Sequence, residues 1–240
     1  MDNTYTPANF DLKALLSDPP RLHDNYQGGL TSEWRIDDTT ALELNKRLKP
    51  GLKTLETGAG LSTIIFGANG CNHTSIVVEP TQIQRIQNYC RSKGIDTSKV
   101  QFIVSTSPEV IHRLPRSEYD LILIDGCHGF PNMFVDFYYG SRALKTGGTL
   151  MVDDLHIYTC LMTAQFMQKD PGWNVELMTR RIAIATKISD TLDVEWTNQP
   201  FVVKRSAKPS LLSRAWYSFL ISSKPVRSRL GLSGLRRPKN

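Results

Sequence analysis

Apolar residues recur along this 240-residue chain in two rhythms that repeatedly exchange places. Short runs rich in Leu, Ile, Val and Thr at 52–56, 74–78, 100–104, 119–124 and 149–152 read as strands. Between and after them, apolar residues fall three and four apart at 61–68, 81–93, 108–114, 131–145 and 157–168, which predicts helices. Two more strands, 174–178 and 182–187, follow with too few residues between them for a helix. The run YDLILI at 119–124 is almost unbroken in its apolarity, the mark of a strand buried on both faces. Five strand-then-helix units and a terminal strand pair predict an α/β fold. It is a doubly wound, mostly parallel seven-stranded sheet with helices on both faces and an antiparallel last strand.

Ahead of this region, Pro19-Pro20 and Gly28-Gly29 interrupt structure. A helix is predicted at 38–49, with Ala41, Leu44 and Leu48 on one face. Residues 1–50 are therefore expected to be a lead-in that contributes to a substrate site, 51–195 the central domain and 196–240 an extension.

Composition narrows the class. With 40% hydrophobic and 22% charged residues the chain is ordinary for a globular protein, which excludes collagen-like, coiled-coil and wholly disordered readings. No stretch approaches a membrane-spanning length of uncharged apolar residues. The first residues lack a basic end followed by an apolar run, so no secretory signal is expected. Cys71, Cys90, Cys127 and Cys160 form no CxxC pair and are expected to be reduced thiols of a cytoplasmic protein. The net charge of +6 is unevenly spread: no acidic residue follows Glu195, whereas ten basic ones do. A mildly acidic body thus carries a basic tail, and overall basicity does not imply nucleic-acid binding.

The first strand runs into Glu56-Thr57-Gly58-Ala59-Gly60-Leu61-Ser62. Glycines at a strand-to-helix turn let a ligand approach the backbone, and the helix start offers free N–H groups. The third glycine of a dinucleotide loop is missing, and Ser62 and Thr63 stand in its place. Glu79 closes the next strand, 19 residues beyond Gly60, where a carboxylate suits a ribose diol. Glu56 would repel a pyrophosphate and attract a cofactor with ammonium and sulfonium charges. Simple turn chemistry and an exposed strand-end acid are the competing readings.

ETGAGLST, VVEP, YDLILIDG and GGTLMVDD, in this order, resemble a class I S-adenosylmethionine-dependent methyltransferase over residues 30–190. The resemblance implies a Rossmann-like methyltransferase fold with strand order 3-2-1-4-5-7-6. It places Gly58, Ala59 and Gly60 along the methionine part of S-adenosylmethionine and Glu79 at the ribose. Where many relatives have an acid beside the adenine amine, this chain has Ser105-Thr106-Ser107, so a hydroxyl or backbone group has to serve. Candidate cofactor contacts are Glu56, Gly58, Ala59, Gly60, Ser62, Glu79, Ser105 and Asp125.

Asp125 follows the fourth strand and Asp153-Asp154 the fifth, on the side where ligands bind in such sheets. Three neighbouring carboxylates suit a hard cation such as Mg²⁺. They equally suit a helix cap and a loop. IDGCHGF and VDDLH are also similar to the metal-dependent macrocin-type O-methyltransferases, which implies a metal held by Asp125, Asp153 and Asp154. His128 is the better candidate base, ahead of His156, since imidazole titrates near neutrality. Trp34, Tyr138 and Tyr139 are substrate-wall or core residues.

The leading expectation is methylation of a hydroxyl on a small molecule or glycoside with Mg²⁺ assistance. A metal-independent transferase using His128 or Asp125 as base, and a non-catalytic cofactor-binding adaptor, are the alternatives. Leu211, Leu212, Ala215, Trp216, Phe219 and Leu220 at helical spacing among basic residues suit an anionic membrane face. Peripheral contact at the inner membrane face through 206–240 is therefore expected, and nucleic acid is not. The oligomeric state is not encoded in any readable pattern.

Overall fold

The computed structural model describes residues 10–25 and 27–206. The chain divides into two units, Met1–Glu195 and Trp196–Asn240. In the first, α1 (Leu12–Ser17), a two-stranded hairpin of β1 (His23–Asp24) and β2 (Leu30–Thr31), and α2 (Asp38–Arg47) precede the main sheet. Then come β3 (Lys53–Thr57), α3 (Leu61–Ala68), β4 (Asn72–Val77), α4 (Pro80–Ser92), β5 (Val100–Val104) and α5 (Ser107–Val110), which runs into a 3₁₀ turn. β6 (Tyr119–Ile124), α6 (Asn132–Ala143), β7 (Leu144–Val152), α7 (Tyr158–Lys169), β8 (Trp173–Met178) and β9 (Ala183–Lys187) complete the unit.

The seven main strands lie in the order β5-β4-β3-β6-β7-β9-β8. β9 pairs antiparallel with both β7 and β8, and the other pairings are parallel. This is the Rossmann-like methyltransferase fold and strand order that the resemblance implies. The unbroken run of β6 is explained by the two cores. Ile122 and Ile124 face one, with Leu150, Val152 and Met133, while Leu121 and Leu123 face the other, with Met151, Ile64 and Phe66. All of these side chains are essentially buried, so truncating one to Ala costs about 2–5 kcal/mol.

The largest departure from the expected boundaries falls between α6 and β7. The helix predicted to reach residue 145 ends at Ala143, and β7 begins at Leu144 rather than 149. A register shift between Tyr119 and Leu121, with Gly147 at φ +82°, absorbs the extra residues. The buried Lys187 explains the tidy end of α6. Its Nζ donates to the carbonyls of Ser141 (2.7 Å) and Leu144 (3.1 Å) and pairs with Asp190 (2.5 Å). A cation at a helix C-terminus satisfies carbonyls that the helix leaves open. The four cysteines are unpaired. Among the described residues no helix is long and apolar enough to cross a membrane.

The second unit contains a 3₁₀ turn and α8 (Pro200–Arg205), with the Arg205 guanidinium 3.9 Å from the centre of the Phe201 ring. The amphipathic segment at 211–220 and its expected membrane contact lie outside the described residues.

Candidate functional site

The chain leaves β3 toward β4 and β5 on one side and returns to β6 and β7 on the other. This leaves a crevice at the carboxyl ends of β3 and β6, where such sheets hold ligands. A cleft of about 650 Å³ occupies it. Gly58, Ala59, Gly60 and Ser62 line it after β3, Val77 and Val78 at the end of β4, and Ser105 to Pro108 after β5. Asp125 to His128 line it after β6 and Asp154 after β7. Gly58 is required on two counts. Its φ is +94°, and a Cβ there would stand 2.3 Å from the Asp125 carbonyl oxygen.

Glu56 is fully buried and does not line the cleft. Its carboxylate accepts from Ser62 Oγ (2.5 Å) and Thr63 Oγ1 and meets His73 Nε2 (3.1 Å). His73 Nδ1 faces Thr54 Oγ1 (2.9 Å), and its ring stacks on Phe66 with centroids 4.0 Å apart. Thr63 Oγ1 also accepts from Gly60 N (2.9 Å). Glu56 thus ties the start of α3 and the glycine loop to β4, and its charge is spent inside the protein. Glu79 is exposed just past β4, beyond the cleft-lining Val77 and Val78, and makes no cap hydrogen bond. Ser105 lines the cleft and donates to Glu109 (3.0 Å).

The three acids do not converge. Asp153 is 1% exposed, and its Oδ1 accepts from Thr40 Oγ1 (3.0 Å) in the first turn of α2. Asp154 turns to the cleft with φ +58°, an uncommon backbone for a non-glycine residue. Its Oδ2 lies 3.3 Å from His128 Nε2, and its Oδ1 lies 2.8 Å from Arg181 Nη2 and 3.6 Å from His156 Nδ1. Asp125 Oδ1 lies 3.8 Å from the same His128 nitrogen. The cluster at the cleft is therefore Asp125, His128 and Asp154, with donor atoms within 4.8 Å of one another. Sequence spacing grouped Asp153 with them, because adjacency in the chain does not reveal which way a turn sends each side chain.

Residues 55–155 match the family model of a methyltransferase domain. The match and the fold support an S-adenosylmethionine-dependent methyltransferase. A proposed O-methyltransferase from Klebsiella pneumoniae superposes with a TM-score of 0.58 at 16% identity, covering 74% of this chain and 94% of that one. The O-methyltransferase TomG of Streptomyces achromogenes, involved in tomaymycin synthesis and solved with S-adenosylmethionine, gives 0.56 at 13% identity over 66% and 83%. A proposed caffeoyl-CoA O-methyltransferase from Staphylococcus aureus gives 0.52 at 18% over 64% and 85%. No curated protein matches the sequence.

In this cleft the acids and His128 bias one another's protons. Burial, then the charges of Asp153, Asp154 and Glu56, hold the Asp125 carboxyl well above the usual range, with His128 opposing. Burial alone would lower His128. Its bonds to Asp154 and to Cys160, whose Sγ is 3.3 Å from Nδ1, and the Asp125 charge reverse this and push it up to about 10. Asp154 is lowered, first by His128 and then by Arg181 and His156 against burial. Burial and the Asp154 charge push Asp153 up to about 6.

Trp34 lines the cleft, whereas Tyr138 and Tyr139 do not. The Tyr138 hydroxyl donates to Asp193 (2.7 Å), and Tyr139 packs edge-on against His112. His156 Nδ1 accepts from Arg181 (3.0 Å). Sequence reasoning missed His23 and Gln82, both cleft residues. It also missed Asp136, a fully buried acid on α6 whose oxygens lack a hydrogen bond. Only the burial of Asp136 within an apolar helical face could have been noticed from the sequence.

Proposed function

We infer that the protein transfers the methyl group of S-adenosylmethionine to a hydroxyl of a small molecule or glycoside. The observation that carries this is the Asp125–His128–Asp154 cluster in the same cleft as the glycine loop, which meets Asp125 at Gly58. When bound, the cofactor supplies an electrophilic methyl on a sulfonium. The protein's part is to align the acceptor with it and to take the hydroxyl proton. The open glycine loop fits the amino-acid end of that cofactor, and we assign the ribose diol to Glu79, exposed just past the cleft-lining Val78. The O-methyltransferase neighbours favour a hydroxyl acceptor.

Two carboxylates and an imidazole fit a divalent ion, which would lower the pKa of a substrate hydroxyl. An imidazole nitrogen in the set suits Mn²⁺ better than Mg²⁺, which prefers oxygen donors. A second, metal-free reading has its own support. His128 and Arg181 already answer the charge of Asp154, and Asp125, whose carboxyl burial holds well above its usual range, lies beside His128 as the group that can take a hydroxyl proton. Methyl transfer to a panel of hydroxylated acceptors, with Mg²⁺, with Mn²⁺ and after exhaustive chelation, tests both. Loss of turnover on chelation that either metal restores supports the ion, and full activity after chelation supports Asp125 as a metal-free base. If the folded protein does not bind S-adenosylhomocysteine in calorimetry, the whole reading fails.

A further inference from the structure

The lead-in hairpin closes one side of the cleft, and it does so through His23. Arg85 of α4 fastens the hairpin: its guanidinium forms a fork on Asp24 (2.9 and 3.0 Å) and donates to the Leu22 carbonyl (3.0 Å). Three residues earlier on α4, Gln82 Nε2 lies 2.6 Å from the Ala59 carbonyl and 3.0 Å from His23 Nδ1. The Ala59 oxygen only accepts, so the group facing it is the amide nitrogen. That nitrogen has two hydrogens and gives the second to His23 Nδ1. Nδ1 is then the bare acceptor of a neutral ring, and the ring proton sits on Nε2. Burial and the nearby Arg85 charge, against Asp24, lower the pKa of His23 and keep the ring in this neutral form.

His23 Nε2 is buried and has no hydrogen-bond partner. It lies in the cleft wall, 3.1 Å from where a Cβ on Gly60 would stand, and the Trp34 ring is 6.3 Å from the His23 ring. A buried donor without an acceptor is costly, and a ligand that supplies one removes the cost. The donor selects against an ammonium group, which has only protons to offer. It selects for a carboxylate, the one anionic acceptor that S-adenosylmethionine carries, and the start of α3 beside it favours the same sign of charge. We propose that His23 Nε2–H donates to the carboxylate of the cofactor's methionine part, so that the hairpin recognises the amino-acid end of the ligand. This rests on the cofactor reading of the cleft.

The test compares two ligands in the full chain by calorimetry. S-adenosylhomocysteine has the carboxylate, and 5′-methylthioadenosine keeps the nucleoside and sulfur without the amino acid. His23→Phe keeps the ring volume and removes the donor. S-adenosylhomocysteine affinity should then fall about tenfold or more, the scale of a charge-assisted hydrogen bond. The 5′-methylthioadenosine affinity should stay within a few-fold. His23→Gln, which restores an N–H at similar reach, should recover part of the loss, and it covers the case in which the Phe variant fails to fold. Equal loss for both ligands would make His23 a packing residue and overturn the proposal, as would no loss for either. If the wild-type protein binds neither ligand, the cofactor reading fails first and the proposal with it.

Discussion

Asp153 and Asp154 are neighbours in the chain whose carboxylates serve opposite sides of one turn: Asp153 bonds Thr40 beneath α2, while Asp154 pairs with His128 and Arg181 at the cleft. The left-handed backbone of Asp154 produces this divergence. Asn tolerates that backbone as Asp does, so Asp154→Asn removes charge without adding strain. Turnover should fall about 10²-fold or more, the usual scale for loss of a proton-transfer partner, and the melting temperature should fall modestly because the pairs to His128 and Arg181 are weakened. Asp153→Asn keeps an oxygen for Thr40 and should leave turnover within a few-fold. If instead Asp153→Asn abolished turnover and Asp154→Asn did not, the cluster assigned here would be wrong.

The raised pKa of His128 makes a statement about stability. A group that binds its proton more tightly when folded stabilises the fold fully below its unfolded pKa of about 6.5. That contribution fades as pH rises toward about 10. Denaturant unfolding of the wild-type protein should therefore show stability declining from pH 6.5 to 10. The decline should be shallower in His128→Gln. A parallel decline in both proteins would mean that other groups cause it.

Asp136 carries the reverse sign of expectation for a surface acid. Burial pushes it up to about 6, and the Ser107 and Thr57 hydroxyls nearby offset only part of the penalty, since neither reaches hydrogen-bond geometry. An acid whose folded pKa is raised costs stability once pH exceeds its unfolded value near 4, and the cost is complete above 6. Asp136→Asn should stabilise the protein at pH 7.5 by about 1–3 kcal/mol, and the gain should vanish near pH 4. Chemical unfolding at the two pH values measures the difference.

Glu79 is exposed and bonded to no helix cap, so its removal should not disturb the fold. Glu79→Ala should weaken S-adenosylhomocysteine binding about tenfold or more, the cost of charge-assisted bonds to a ribose diol. The loss should be equal for 5′-methylthioadenosine, which has the same ribose. Unchanged calorimetric affinity in a folded variant would remove Glu79 from the site.

The sheet was legible because burial on two faces writes continuous apolar runs such as 119–124, and glycine turns mark where the runs stop. The cleft followed from topology, since the residues just after each parallel strand must meet at one edge. What stayed hidden was direction. Nothing in VDD states that a positive φ at Asp154 separates the two acids, and nothing in ETGAG states that His73 claims the charge of Glu56. His23 was hidden for a different reason: its place in the wall depends on Arg85 and Gln82, about 60 residues away in the chain.

The final strand of the sheet is also an interior one. β9 lies between β7 and β8, so β8 has no partner in the main sheet until residues 183–187 exist. Lys187, which answers the open carbonyls at the end of α6, arrives with the same segment. During synthesis, which releases the amino-terminal part first, the β3–β7 portion can pair as it emerges, whereas this edge must wait. A chain stalled on the ribosome before residue 187 would thus present an unpaired strand and an unsatisfied helix end, the very surfaces that chaperones bind.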